Sequence, residues 1–182
     1  MQMARIWTIG HGQRSLAELL ALLRESGVAT LADVRSFPGS RRYPHFAKEA
    51  LAAALSTAGV AYVHVVELGG RRREVAGSPH TAIRVAAFRA YADHMATEAF
   101  RAGLARLEEL ARETPTAYMC SETLWWRCHR RMISDRLTVD GWEVIHILGP
   151  EKTEQHKLWD VARLEDGRIV YDAGLARLPR EE

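Results

Sequence analysis

The sequence is poor in cysteine, with two in 182 residues, too few for a disulfide framework and in keeping with a reducing compartment. It has no apolar run near the ~20 residues that a membrane-spanning helix needs. Its start, Met1-Gln2-Met3-Ala4-Arg5, runs into a strand-like segment with no signal-type apolar stretch. Together these predict a cytoplasmic chain with no membrane partner. Internal repeats, low-complexity tracts and linker-like stretches are also lacking. We therefore expect a single α/β domain over 1–182, with a core from about 5 to 148 and a C-terminal extension from about 149 to 182. Charge of one sign is not in excess either: 25 Lys and Arg face 23 Asp and Glu, for a net +2.

What is present supports a real core. Hydrophobic residues make up 47% of the chain, and a domain of this size buries roughly 70% of its unfolded surface without a metal or disulfide. Arg5 to Ile9 reads as a buried strand ending at Gly10-His11-Gly12. Ser15-Leu16-Ala17-Glu18 fits a capping box, followed by leucines at helical spacing and Gly27 as the stop. A second strand spans Val28 to Val34. A loop with Pro38, Gly39 and Pro44 then leads to a helix from about Ala47 to Ala58. Val60 to Val66 is a third strand and Thr116 to Cys120 a fourth, separated by helices over Ile83 to Met95 and Glu98 to Glu113, with Thr97 as cap. A helix from about Cys128 to Val139 and a fifth strand from Trp142 to Leu148 follow. Asp166-Gly167 marks a type I′ hairpin in the tail. Alternating strands and helices predict an α/β fold: a mostly parallel five-stranded sheet with helices on both faces, plus a short C-terminal hairpin.

Each of the first four strands then ends in chemically marked residues: His11 between glycines; Asp33 and Arg35; Glu67 with Gly69-Gly70; and Cys120, Glu122 and Cys128-His129-Arg130. In a parallel sheet these share the carboxyl rim, where ligands bind. We expect His11, Asp33, Glu122 and Cys128 to converge on one pocket as the catalytic set, and Arg35, Gly69, Gly70, Arg127, His129 and Arg130 to bind an anionic substrate there. Acidic residues lie mostly on predicted helices, whereas arginine gathers in loops at Arg41-Arg42, Arg71-Arg72-Arg73, Arg127 and Arg130-Arg131. The guanidinium fork suits phosphate or carboxylate, although a solvated surface accounts for such loops equally well.

Cys128 is expected in the first turn of a helix, beside arginines, where the free amides and the cations favour thiolate and bind anions. It reads as a nucleophile or as a small residue packing helix on sheet. Helical neighbours point about 100° apart, so His129 is not expected to serve as its base, and His11 is the better-placed histidine. Asp33 and Arg35, two apart on a strand, share a side; they form a structural ion pair, or act as base and anion clamp. Glu67 and Glu122 are rim carboxylates open to acid–base roles. Trp125-Trp126 need a core to bury them or a ligand to cover them. Arg41-Arg42-Tyr43-Pro44-His45-Phe46 joins cations to aromatics, as single-stranded nucleic-acid sites do. Gly69-Gly70 lacks the Lys-Ser/Thr ending of a phosphate loop.

Two familiar cysteine chemistries fail on spacing. The phosphatase cradle Cys-x5-Arg would need arginine where Trp126 or Ser134 stands. A zinc site normally shows a close pair such as Cys-x2-Cys, and none exists, though Cys120, Cys128 and His129 are soft donors with His11 or His45 as possible fourths. No cofactor or metal is assigned.

With Thr8-Ile9-Gly10-His11, Asp33-Val34-Arg35 with Pro38, Leu68-Gly69-Gly70 and Cys120-x-Glu122 leading to Cys128-His129-Arg130, the chain resembles the family named domain of unknown function 488, over about Ile6 to Leu148. The resemblance implies a compact α/β domain with these residues lining a common site, and it implies no reaction. Trp125-Trp126-Arg127 stands just before the Cys, where smaller residues or proline would be expected. Three readings stay open: an enzyme, of hydrolase or transferase type, on a nucleic acid or nucleotide-type phosphate-bearing substrate; a non-catalytic nucleic-acid-binding module; and a metal-dependent enzyme or sensor.

Overall fold

Ser15 caps the first helix as its spacing requires: the side chain accepts from the amide of Glu18, whose carboxylate reaches back to Ser15 N. That helix, α1 (Leu16–Glu25), ends before Gly27, which takes the left-handed φ of 68° that glycine adopts without strain. The computed structural model describes residues 3–172. Five strands run parallel in the order β3 (Ala61–His64), β2 (Thr30–Asp33), β4 (Thr116–Cys120), β1 (Arg5–Gly10), β5 (Glu143–Gly149). A sixth, β6 (Lys152–Gln155), pairs antiparallel with β5, so the sheet is one strand wider than the sequence suggested.

Successive residues of the central strands divide between two cores, as the two-residue period demands. Ile9, Leu31, Ala117 and Met119 pack against Leu19, Leu22 and Leu23 of α1 and Leu51 and Leu55 of α2 (Lys48–Thr57). On the other face Ile6, Ala32, Tyr118 and Val144 meet Tyr91 of α3 (Ala86–His94), Phe100, Leu104 and Leu107 of α4 (Glu98–Glu113), and Met132, Ile133 and Leu137 of α5 (Arg130–Val139). Both faces are covered, as a parallel sheet requires. The tail hairpin, β7 (Ala162–Glu165) and β8 (Arg168–Tyr171), turns through Asp166 and Gly167 at φ 50° and 77°, the left-handed pair of a type I′ turn. Ile169 and Tyr171 carry it into the second core. No helix among the described residues is long and apolar enough to cross a membrane.

The topology also selects where a site can sit. After β1 and β2 the chain crosses to the α1–α2 face, but after β4, which lies between them, it crosses to the opposite face. Chains leaving adjacent strands in opposite directions open a crevice at the carboxyl ends.

Candidate functional site

The crevice is a pocket of about 640 Å³, lined from β1 by His11 and Gly12, from β2 by Arg35, Ser36 and Phe37, and from β4 by Cys120 to Thr123 and Arg127 to His129. Gly70, Arg71, Arg42 and Tyr43 close its sides. His11, Glu122 and Cys128 therefore share one cavity. Asp33 does not line it: fully buried, it accepts from Arg35 Nε at 2.9 Å and Nη2 at 2.7 Å and from Tyr62 Oη at 2.6 Å. Asp33 thus fixes the Arg35 fork, the same-side pairing that their spacing allowed.

Arg35 also donates to the carbonyl of Phe46 at 2.8 Å, and its Nη1 lies 3.4 Å from His11 Nε2. His11 Nδ1 is 3.0 Å from the carbonyl of Gly12. A proton on Nδ1 leaves Nε2 as acceptor for Arg35. Burial lowers His11 to about 4, the Arg35 charge adding to that and the Gly12 carbonyl opposing it. The ring is neutral at pH 7 and stacks on Phe46 at 4.2 Å. It braces Arg35.

The floor is built by the segment from β4 to α5. The structure corrects the expected helix start: Trp125–Arg127 form one 3-10 turn, Cys128 is extended (φ −134°, ψ 153°), and α5 begins only at Arg130. This break overturns the angular argument against His129. Its Nδ1 lies 3.4 Å from Cys128 Sγ, while Nε2 is 2.9 Å from the carbonyl of Val34. The carbonyl holds the proton on Nε2, so Nδ1 presents a lone pair to the thiol. Gly70 makes room for that ring: a Cβ there would come within 2.9 Å of His129 Cγ. Its role is close approach. Gly69 packs against Ser36 in the same way and does not line the pocket.

Cys120 and Cys128, which the sequence joined only as possible metal donors, meet with sulfurs 2.7 Å apart, both free thiols. Arg130 lies beneath them, 1% exposed. It donates from Nε to Cys120 Sγ at 3.0 Å, from Nη1 to Thr8 Oγ1 at 2.9 Å and from Nη2 to the Glu122 carbonyl at 2.6 Å, while its amide reaches Cys128 Sγ at 3.4 Å. No carboxylate among the described residues pairs with it. A buried cation requires a counter-charge, and the two sulfurs are the ionisable groups in contact. Burial pushes the Cys128 thiol up, but the Cys120 hydrogen bond and the Arg130 charge and amide outweigh it and hold it at about 7. Cys120 is driven well above the usual thiol range, by burial first and then by Cys128. The pair loses one proton readily and keeps the other. Gly10 belongs to this floor too, since a Cβ there would come within 2.8 Å of Arg130 Nη2. Apart from the family resemblance, the sequence offered Gly10 as a strand end.

Cys120, Cys128 and His129 bring their donor atoms within 4.8 Å of one another, yet they do not fit a metal. Two thiolates at about 2.3 Å from one zinc stand roughly 3.8 Å apart. The sulfurs here are 2.7 Å apart and already face the Arg130 guanidinium.

The remaining marked residues divide. Glu122 and Arg127 are exposed at the pocket rim. Glu67 faces the other way, with Cβ against Gly103 of α4, and is not a wall residue. Arg72 spends its fork on the carbonyls of Gly69 and Glu67, both at 3.0 Å. Trp125 lies flat on His146 at 4.2 Å, whereas Trp126 is 42% exposed. Behind Trp125 runs a buried chain, His146 to His156 at 2.9 Å and His156 to Asp135 at 2.8 Å. No spacing in the sequence joins those residues.

The model of the family described as domain of unknown function DUF488 matches residues 15–137, from α1 through nearly all of α5. No curated protein and no solved structure matches the chain.

Proposed function

We propose, from the premise that this chain belongs to the DUF488 family, whose description names no reaction, that the rim pocket is the active site of a cysteine-dependent hydrolase or transferase acting on a nucleotide-type, phosphate-bearing substrate. The observation that carries this reading is the buried Arg130, whose contacting ionisable groups among the described residues are the two pocket sulfurs, Cys120 through the guanidinium and Cys128 through the backbone amide. Nucleophilic thiolate is thereby favoured at neutral pH.

The residues divide the work as follows. Cys128 Sγ attacks the electrophilic atom beside the anionic group. Where Cys128 is still a thiol, its proton passes to His129 Nδ1. Once ionised, Cys128 accepts from Cys120 and from the amide of Arg130. Glu122 at the rim exchanges a proton with the leaving group or with the water that releases product. Arg35, braced by Asp33 and His11, and Arg42, Arg71 and Arg127 attract the phosphate. Phe37, 71% exposed at the pocket wall with Arg71 at 5.6 Å from its ring, offers a face on which a base stacks.

The test pairs the full chain with Cys128→Ser on a panel of nucleoside mono- and diphosphates and short single-stranded RNA. We expect turnover of one of these classes, a loss of at least ~100-fold in Cys128→Ser and retained binding. Arg42→Ala combined with Arg71→Ala should weaken binding about tenfold and flatten its salt dependence. Turnover untouched by Cys128→Ser overturns the reading. Salt-sensitive binding of RNA without any turnover transfers the site to a binding module.

A further inference from the structure

We infer that Cys128 and Cys120 form a peroxide-reactive pair, in which a hydroperoxide oxidises Cys128 and Cys120 closes the product to an intramolecular disulfide. This is a second chemistry of the pocket and does not depend on the nucleotide reading.

The geometry carries it. Cys120 ends a central strand and Cys128 sits eight residues on, after the 3-10 turn, with the sulfurs at 2.7 Å. Bonding needs them to close to about 2.05 Å, a movement of roughly 0.7 Å. Both sulfurs line the same cavity, so a small peroxide reaches them without unfolding. Arg130 touches both, Cys120 through Nε and Cys128 through its amide, and so favours sulfur anion over thiol at whichever sulfur is ionised. The two cysteines also differ as such a pair must. Cys128 ionises near neutrality, while burial keeps Cys120 protonated until its neighbour has reacted.

The step balances as follows. The Cys128 thiolate attacks one oxygen of the hydroperoxide, the O–O bond breaks, and the released alkoxide or hydroxide takes up a proton, leaving a sulfenic acid. Cys120 then gives up its proton and attacks the Cys128 sulfur. The S–O bond breaks, water leaves, and the S–S bond forms. Two thiols lose two electrons and two protons, and the hydroperoxide is reduced. A small dithiol reductant reverses the change, and while the disulfide stands Cys128 is unavailable as a nucleophile.

With two cysteines in the whole chain, the readout is direct. The reduced full-length protein is treated with a slight excess of hydrogen peroxide, without nucleotide, and followed by intact mass and thiol titration. We expect the mass to fall by two hydrogen atoms, titratable thiols to go from two to none, and dithiothreitol to restore both. Cys120→Ala, or Cys120→Ser should the alanine variant not fold, should stop at a sulfenic acid trapped by a sulfenate-selective probe. Both thiols surviving overturns the inference, as does wild-type Cys128 passing to sulfinic acid with Cys120 still free. Neither result touches the nucleotide reading, whose own test uses turnover.

Discussion

Arg130 is the bulkiest side chain that the described fold buries essentially completely, and its contacts decide how the cysteines behave. Replacing it with methionine fills similar volume, removes the charge and leaves Thr8 and the Glu122 carbonyl without their donor. The Cys128 midpoint should then rise from about 7 towards the ordinary value of ~8.5, which lowers the thiolate fraction at pH 7 by more than tenfold. Alkylation by iodoacetamide across pH 5–10 reads this. A midpoint that stays put in Arg130→Met would assign the activation to Cys120 alone. The Cys-His-Arg string was visible in the sequence as a cluster of the right chemistry. That Arg130 turns inward beneath the sulfurs was not, since an arginine beside others looks like surface until the fold shows Thr8 of the neighbouring strand as its partner.

The element that sets the site is the segment from Cys120 to His129, and its shape explains both what could be foreseen and what could not. Parallel strands follow from the alternation of apolar runs with helical periods, so the gathering of His11, Arg35 and Cys128 at one rim was legible. The local break was not. A 3-10 turn at Trp125–Arg127 and an extended Cys128 arise where Trp125 is seated on His146, a tertiary contact that no local pattern encodes. Strand β6 escaped for a different reason. Lys152, Thr153, Glu154 and Gln155 are all exposed on an edge, so no apolar alternation betrays them. Fitting this segment against its neighbour depends on Gly70. Gly70→Ala should push the His129 ring off the Val34 carbonyl or off Cys128, at about 1–3 kcal/mol for overpacking. We expect a melting temperature lower by at least ~2 °C and slower alkylation of Cys128 at pH 7. A variant with unchanged melting and reactivity would mean that the loop, and not the ring, gives way.

At the scale of the whole molecule the buried histidines and the thiolate tie stability to pH in two separate windows. Burial lowers His146 to about 2, with His156 and Arg130 adding to it, and burial lowers His11 to about 4. Unfolded, each titrates near ~6.5. Below that value the unfolded chain takes up protons that the folded chain refuses, so stability falls as the pH drops from about 6.5, by up to ~1.4 kcal/mol per unit for each histidine. Cys128 acts higher. Its folded value of about 7 lies below the unfolded ~8.5, so the stabilisation it brings is full above ~8.5 and is lost as the pH falls through 7. Both windows slope the same way but answer to different residues. Urea midpoints measured from pH 5 to pH 9 should rise up to about 6.5 and again between about 7 and 8.5, and level off above that. Cys128→Ser should flatten only the part above pH 7. His146→Phe, which keeps a ring for Trp125 to stack on, should make only the part below 6.5 shallower, leaving the share that His11 contributes. A wild-type curve already level between pH 7 and 8.5 would show that the sulfurs are not the counter-charge of Arg130, and the nucleophile assignment would fall with it.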